Sequence, residues 1–96
     1  MQLPPHPQPV EVASRDQSLV VGVDSWGHPT GVQLTEAAKD GVSGAELAHR
    51  IMTLYELAKT IALAVRNVEH HRQTGTWLPS WPTPGNVDAL NNQLTF

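Results

Sequence analysis

The chain contains no cysteine. Neither a disulfide framework nor a thiolate metal site can therefore reinforce it. That matters because 96 residues make one small domain, and a core of that size is marginal unless helped. Oligomerisation or a partner protein is the remaining route. An excess of basic residues is missing too. Six Lys and Arg stand against nine Asp and Glu, a formal charge of −3. Proteins that hold nucleic acid through its phosphates usually show a basic face, and the sequence shows none. Long apolar runs are absent as well: IALAV at 61–65 is far too short to span a bilayer. The opening MQLPPHPQP has neither the basic start nor the apolar stretch of a secretory signal. These absences predict a soluble, cytoplasmic protein. No Ser/His/Asp arrangement, phosphate-cradling glycine loop or nucleotide motif is present, so an enzyme is the least supported class and no cofactor is expected.

What is present is one long helical pattern. Leu47, Ile51, Leu54, Ala58, Ile61, Val65 and Val68 follow each other at spacings of 4, 3, 4, 3, 4, 3. This is the a/d rhythm of heptads. Ser43 with Glu46 three residues on has the form of a capping box, and Gly75 is a suitable stop, with His70, His71 and Arg72 near the negative end of the helix dipole. Glu46 with Arg50 and Glu69 with Arg72 are spaced to pair on an exposed face. Such a helix reaches ~40 Å at about 1.5 Å per residue, against ~20 Å for a typical strand. The comparison predicts that half of the helix overhangs any small sheet, with its seam uncovered. His70 and His71 point about 100° apart on a helix and do not converge on one ion, so no metal site is expected.

Before the helix, residues 1–9 hold Pro4, Pro5, Pro7 and Pro9 and read as a flexible tail. Residues 10–75 read as the folded unit. Val10–Ser14 and Leu19–Asp24 read as strands, the second rich in β-branched residues. Gly22 within it marks a bulge or a close backbone approach. Ser25–Pro29 forms a turn, and Thr30–Leu34 is a third strand with Val32 and Leu34 on one face. Short sequential strands with tight turns predict an antiparallel meander, and its apolar face needs the helix as cover. Residues 76–96 read as a Pro/Trp-rich arm carrying Trp77, Leu78 and Trp81, then a short helix over Val87–Leu94 capped by Asn86. Two tryptophans in such an arm either fold back on the helix or mark a contact surface. The predicted class is α+β: a small three-stranded antiparallel sheet, one long amphipathic helix and a Pro/Trp-rich arm.

The stretch LVVGVDSWGHPTGVQLTEAAKDGVSGAELAHRI resembles the YbaB/EbfC-like family, in which a small antiparallel sheet precedes a long helix and two copies usually pair. GVQLTEAA, AELA, the run Leu57, Ala58, Lys59 and the tail WPTPGNVDAL resemble the actinobacterial relatives associated with type VII secretion, the EspH- and EspD-like proteins. The likeness covers roughly residues 10–90. The chain departs from the first group in having a Pro-rich tail where those proteins have a helix, and from the second in lacking long acidic extensions. Lys59 stands four residues after Tyr55, where the type VII export signal would have an acid, so the resemblance implies an accessory factor and not cargo. It implies a non-enzymatic adaptor or chaperone-like protein, a homodimer or one half of a heteromeric pair. The interface expected for it comprises the seven seam residues with Trp77 and Trp81. The alternative is a YbaB-like nucleoid-associated DNA-binding protein.

Overall fold

The computed structural model describes residues 2–96. Three strands form one antiparallel sheet in the order β1-β2-β3: β1 Val10–Ala13, β2 Leu19–Val23 and β3 Pro29–Leu34. A single 3₁₀ turn at Glu36–Ala38 leads to the long helix α1, Gly44–Thr74, and the chain ends in the short helix α2, Pro84–Gln93. The fold is thus the α+β arrangement that the residue pattern predicts. A bulge lies opposite the Gly22–Val23 step: the pairing jumps from Gly22–Gly31 to Val23–Pro29, so the extra residue is Thr30 on β3.

Alternation along β2 sends Leu19, Val21 and Val23 to the helix side, all essentially sealed from water. Val10 and Val12 join them from β1. Across from them α1 presents Leu54, Leu57, Ala58, Ile61, Ala62, Ala64 and Val65. Burial of a full aliphatic side chain contributes about 1.5–3 kcal/mol, so this layer is the main stabilising force.

The ends of α1 follow its sequence signals. The Ser43 hydroxyl accepts the Glu46 N–H at 3.1 Å, while the Glu46 carboxylate turns to Arg50 Nε, also at 3.1 Å. Arg72 pairs with Glu69 at 2.6 Å. Gly75 takes the left-handed conformation, φ 79°, and its N–H bonds the His71 carbonyl. The chain then doubles back. Residues 78–82 are held at Asn67, and Arg50 lies 5.2 Å from the Phe96 ring, so the C-terminal segment runs antiparallel along α1. Val87 and Leu94 are buried in the same core.

This return explains why the seam is not left bare where the 31-residue helix outruns the sheet. The sheet covers one side of the seam and the returning segment covers another. Leu54, Ala58, Ile61 and Val65 are buried in the chain's own core, and Leu47, Ile51 and Val68 are half-buried. The final helix also starts earlier than predicted. Thr83 is its N-cap and Pro84 its first residue, a position where a missing N–H costs nothing. Asn86 acts from inside the first turn, its Oδ1 accepting the Thr83 N–H at 2.8 Å. The N-terminal tail sets Leu3 against the core; Met1 lies outside the described residues.

Candidate interaction site

The surface of interest is assembled around the β2–β3 turn. Asp24 organises that turn: its Oδ1 accepts the N–H of Trp26 and of His28, each at 2.9 Å. The His28 N–H, more than any other donor, stabilises the carboxylate and holds its pKa below the usual 3.8. Gly27 closes the turn with φ 85° and lies against α1, where a Cβ would come within 2.9 Å of Lys59 Cγ. Only glycine meets both demands, a left-handed backbone and contact with the helix.

The turn lays Trp26 beside α1. The Arg66 guanidinium sits 3.3 Å from the centre of the indole, and Arg66 is itself fixed by donating to the Ser25 carbonyl at 2.7 Å and the Ser25 hydroxyl at 3.0 Å. A cation over an aromatic face is attracted by the ring's quadrupole. Trp81 meets Trp26 edge to face, with ring centres 6.3 Å apart. Trp77 stacks on His71 at 4.2 Å. His71 thus supports an aromatic contact of the arm.

Asn67 fastens the arm. This fully buried side chain donates from Nδ2 to the carbonyls of Leu78, Trp81 and Pro82 at 3.1, 3.2 and 3.1 Å, and its Oδ1 accepts the Leu78 N–H at 2.8 Å. Pro79 and Pro82 deny this stretch regular secondary structure, so one asparagine supplies what a helix or sheet would have supplied.

Large apolar side chains nevertheless stay in water along one side of the molecule. Met52 is 68% exposed and Trp26 51%. With Pro29 and Tyr55 they line a groove of about 360 Å³, rimmed by His28, Glu56 and Lys59. Beside it, Val32 and Leu34 on β3 remain 41% and 38% exposed although they point to the helix side of the sheet. Helix α1 packs on β1 and β2, and Tyr55 reaches β3 by donating from its hydroxyl to the Gly31 carbonyl at 2.8 Å. The strip has an apolar floor and a polar rim, the anatomy of a protein contact.

Of the residues expected at an interface, four seam residues are interior to the single chain, three are half-buried, Trp81 is half-buried under Trp26, and Trp77 is exposed. The strip itself, with Met52 and Tyr55 on the helix flank, lies off the seam. Heptad counting selects the most apolar stripe and passes over a lone methionine beside it. Asn67 did leave a signal, one amide within the apolar run IALAVRNV. No protein-family model, curated protein or solved structure matches this chain.

Proposed function

We propose that this protein is a non-enzymatic adaptor, chaperone-like in action, that holds another protein through the groove formed by Trp26, Pro29, Met52 and Tyr55. The observation that carries the reading is that Met52 and Trp26, the two most exposed large apolar side chains among the described residues, meet in one groove. Patches of this kind on a small domain mark contact surfaces. Methionine adapts its shape to different partners, and an Arg-braced tryptophan is a rigid anchor. The resemblance to type VII secretion-associated proteins supports a secreted client and a role on the cytoplasmic side; no helix of the described residues is long and apolar enough to cross a membrane.

The charge pattern supports a protein partner over nucleic acid. Arg15 is engaged by the Leu94 carbonyl, Lys39 by Glu36, Arg50 by Glu46, Arg66 by Ser25 and Arg72 by Glu69. Phosphate binding would have to compete with these contacts.

Co-purification from the native host, with partners identified by mass spectrometry, tests the reading. A defined partner that is recovered with the wild type and lost with Met52→Asp, at unchanged thermal stability, is expected. Equal recovery by the variant contradicts the groove assignment. Retention on duplex DNA at near-physiological salt, falling steeply as salt rises, contradicts the adaptor reading.

A further inference from the structure

The face of the sheet turned away from α1 carries two paired glycines, and the chain itself explains only one of them. Val10, Val12, Leu19, Val21 and Val23 point to the helix, so alternation sends Glu11, Val20, Gly22, Gly31 and Gln33 to the outer face. Gly22 pairs directly with Gly31. Glycine within a strand is destabilising, because it loses the most backbone freedom and packs no side chain. At Gly22 the need is local: a Cβ there would come within 3.0 Å of Oγ1 of Thr30, the bulged residue. Gly31 answers no such need. Its backbone is not left-handed, and a Cβ there would meet nothing within 4 Å. A strand glycine that nothing in its own chain requires marks the close approach of a ligand or another backbone.

The two glycines floor an open groove of about 480 Å³. Glu11 leans over its edge, with Cγ 3.9 Å from the Cβ position of Gly22, and Thr30 Oγ1 stands nearest to that position. Val20 and Gln33, paired with each other, continue the groove. Glu11 is the one charged residue lining it, and no described cation pairs with that carboxylate. The groove thus combines a flat floor of peptide groups, a single negative charge, and the oxygens of a hydroxyl and an amide.

We propose that this groove binds an arginine side chain presented by a partner polypeptide. A guanidinium is planar and lies flat over peptide groups, which a compact ammonium does not. It donates two parallel N–H bonds to a carboxylate such as that of Glu11. Its remaining N–H groups suit the acceptor oxygens of Thr30 and Gln33. An acidic occupant would be repelled by Glu11, and an apolar one would strip water from that charge without pairing it. The inference concerns the outer face of the sheet and does not rest on the groove at Trp26.

Nuclear magnetic resonance of the ¹⁵N-labelled chain, titrated with the peptide acetyl-Gly-Arg-Gly-amide, tests it. The amide signals of Gly22 and Gly31 should shift saturably at millimolar peptide. The matching lysine peptide should bind more weakly, and the citrulline peptide, of the same shape without the charge, should leave the signals in place. Glu11→Gln should weaken binding roughly 10-fold. Gly31→Val fills the groove with a residue at home in a strand and has room for its side chain. It should abolish binding without lowering the melting temperature. Absence of a saturable shift with the arginine peptide overturns the proposal, as does an equal response to the lysine or citrulline peptide. A folded Gly31→Val variant that binds like the wild type also overturns it. Should Gly31→Val fail to fold, Glu11→Gln decides: unweakened binding by that variant overturns the proposal.

Discussion

Two polar residues show how much single side chains settle in a domain this small. Asn67 satisfies three carbonyls and one N–H that the proline-rich arm cannot pair by itself. Replacing it by leucine keeps the bulk and strands those groups. The expected loss is about 2–3 kcal/mol, or roughly 10–20 °C in melting temperature; an unchanged melting curve would show that the arm is not fastened there. Asp16 plays a comparable part in the β1–β2 turn. The Ser14 hydroxyl first, then the Ser18 N–H and hydroxyl, donate to its carboxylate and pull its pKa from 3.8 to about 2. A folded-state pKa below the unfolded value means that the contribution is complete above about pH 4 and disappears as pH falls toward 2. Thermal melts should therefore decline more steeply across that window for the wild type than for Asp16→Asn. Parallel declines would place the acid sensitivity elsewhere.

Among the elements, α1 carries the clearest lesson about what a pattern states. The heptad rhythm correctly marks an apolar stripe, and Ser43 and Gly75 mark its ends. The rhythm does not say what covers the stripe. The cover is β1 and β2 on one side and the returning segment with Val87 and Leu94 on another. That return was hard to read because α2 is rich in asparagine and glutamine and begins with Pro84 and Gly85, all weak signals for a core helix. Ile61→Asp should consequently unfold the chain, since the side chain is only 4% exposed and a charge there has no partner. Met52→Asp should leave the melting temperature within a few degrees. Equal destabilisation by the two would contradict the assignment of core and surface. At the β2–β3 turn, Gly27→Ala should cost about 1–2 kcal/mol from the left-handed backbone alone, and more from the clash with Lys59. A melt unaffected by Gly27→Ala would mean that the turn does not need to lie against the helix.

Over the whole molecule, 48 × 22 × 20 Å in extent, cover and exposure divide by side. One flank is closed by the tail, the returning arm and the chain end. The other presents the Trp26–Met52 groove and the open edge of β3. The architecture was legible because β-branched strands, a capped helix and a glycine stop all agree with one another. The exposed apolar strip was not legible, because Trp26, Met52 and Val32 are far apart in sequence and meet only after the sheet docks on α1. The same docking leaves β3 uncovered, since a single helix centred on β1 and β2 cannot also shield the third strand. The central claim is that this flank is where the protein meets its partner. Oxidative footprinting of the complex recovered from the native host tests it most directly. The account predicts that Trp26 and Met52 lose reactivity on binding while Trp77 stays as reactive as in the free protein. Undiminished oxidation of Trp26 and Met52 in the complex, with protection confined to Trp77 and the arm, would contradict it.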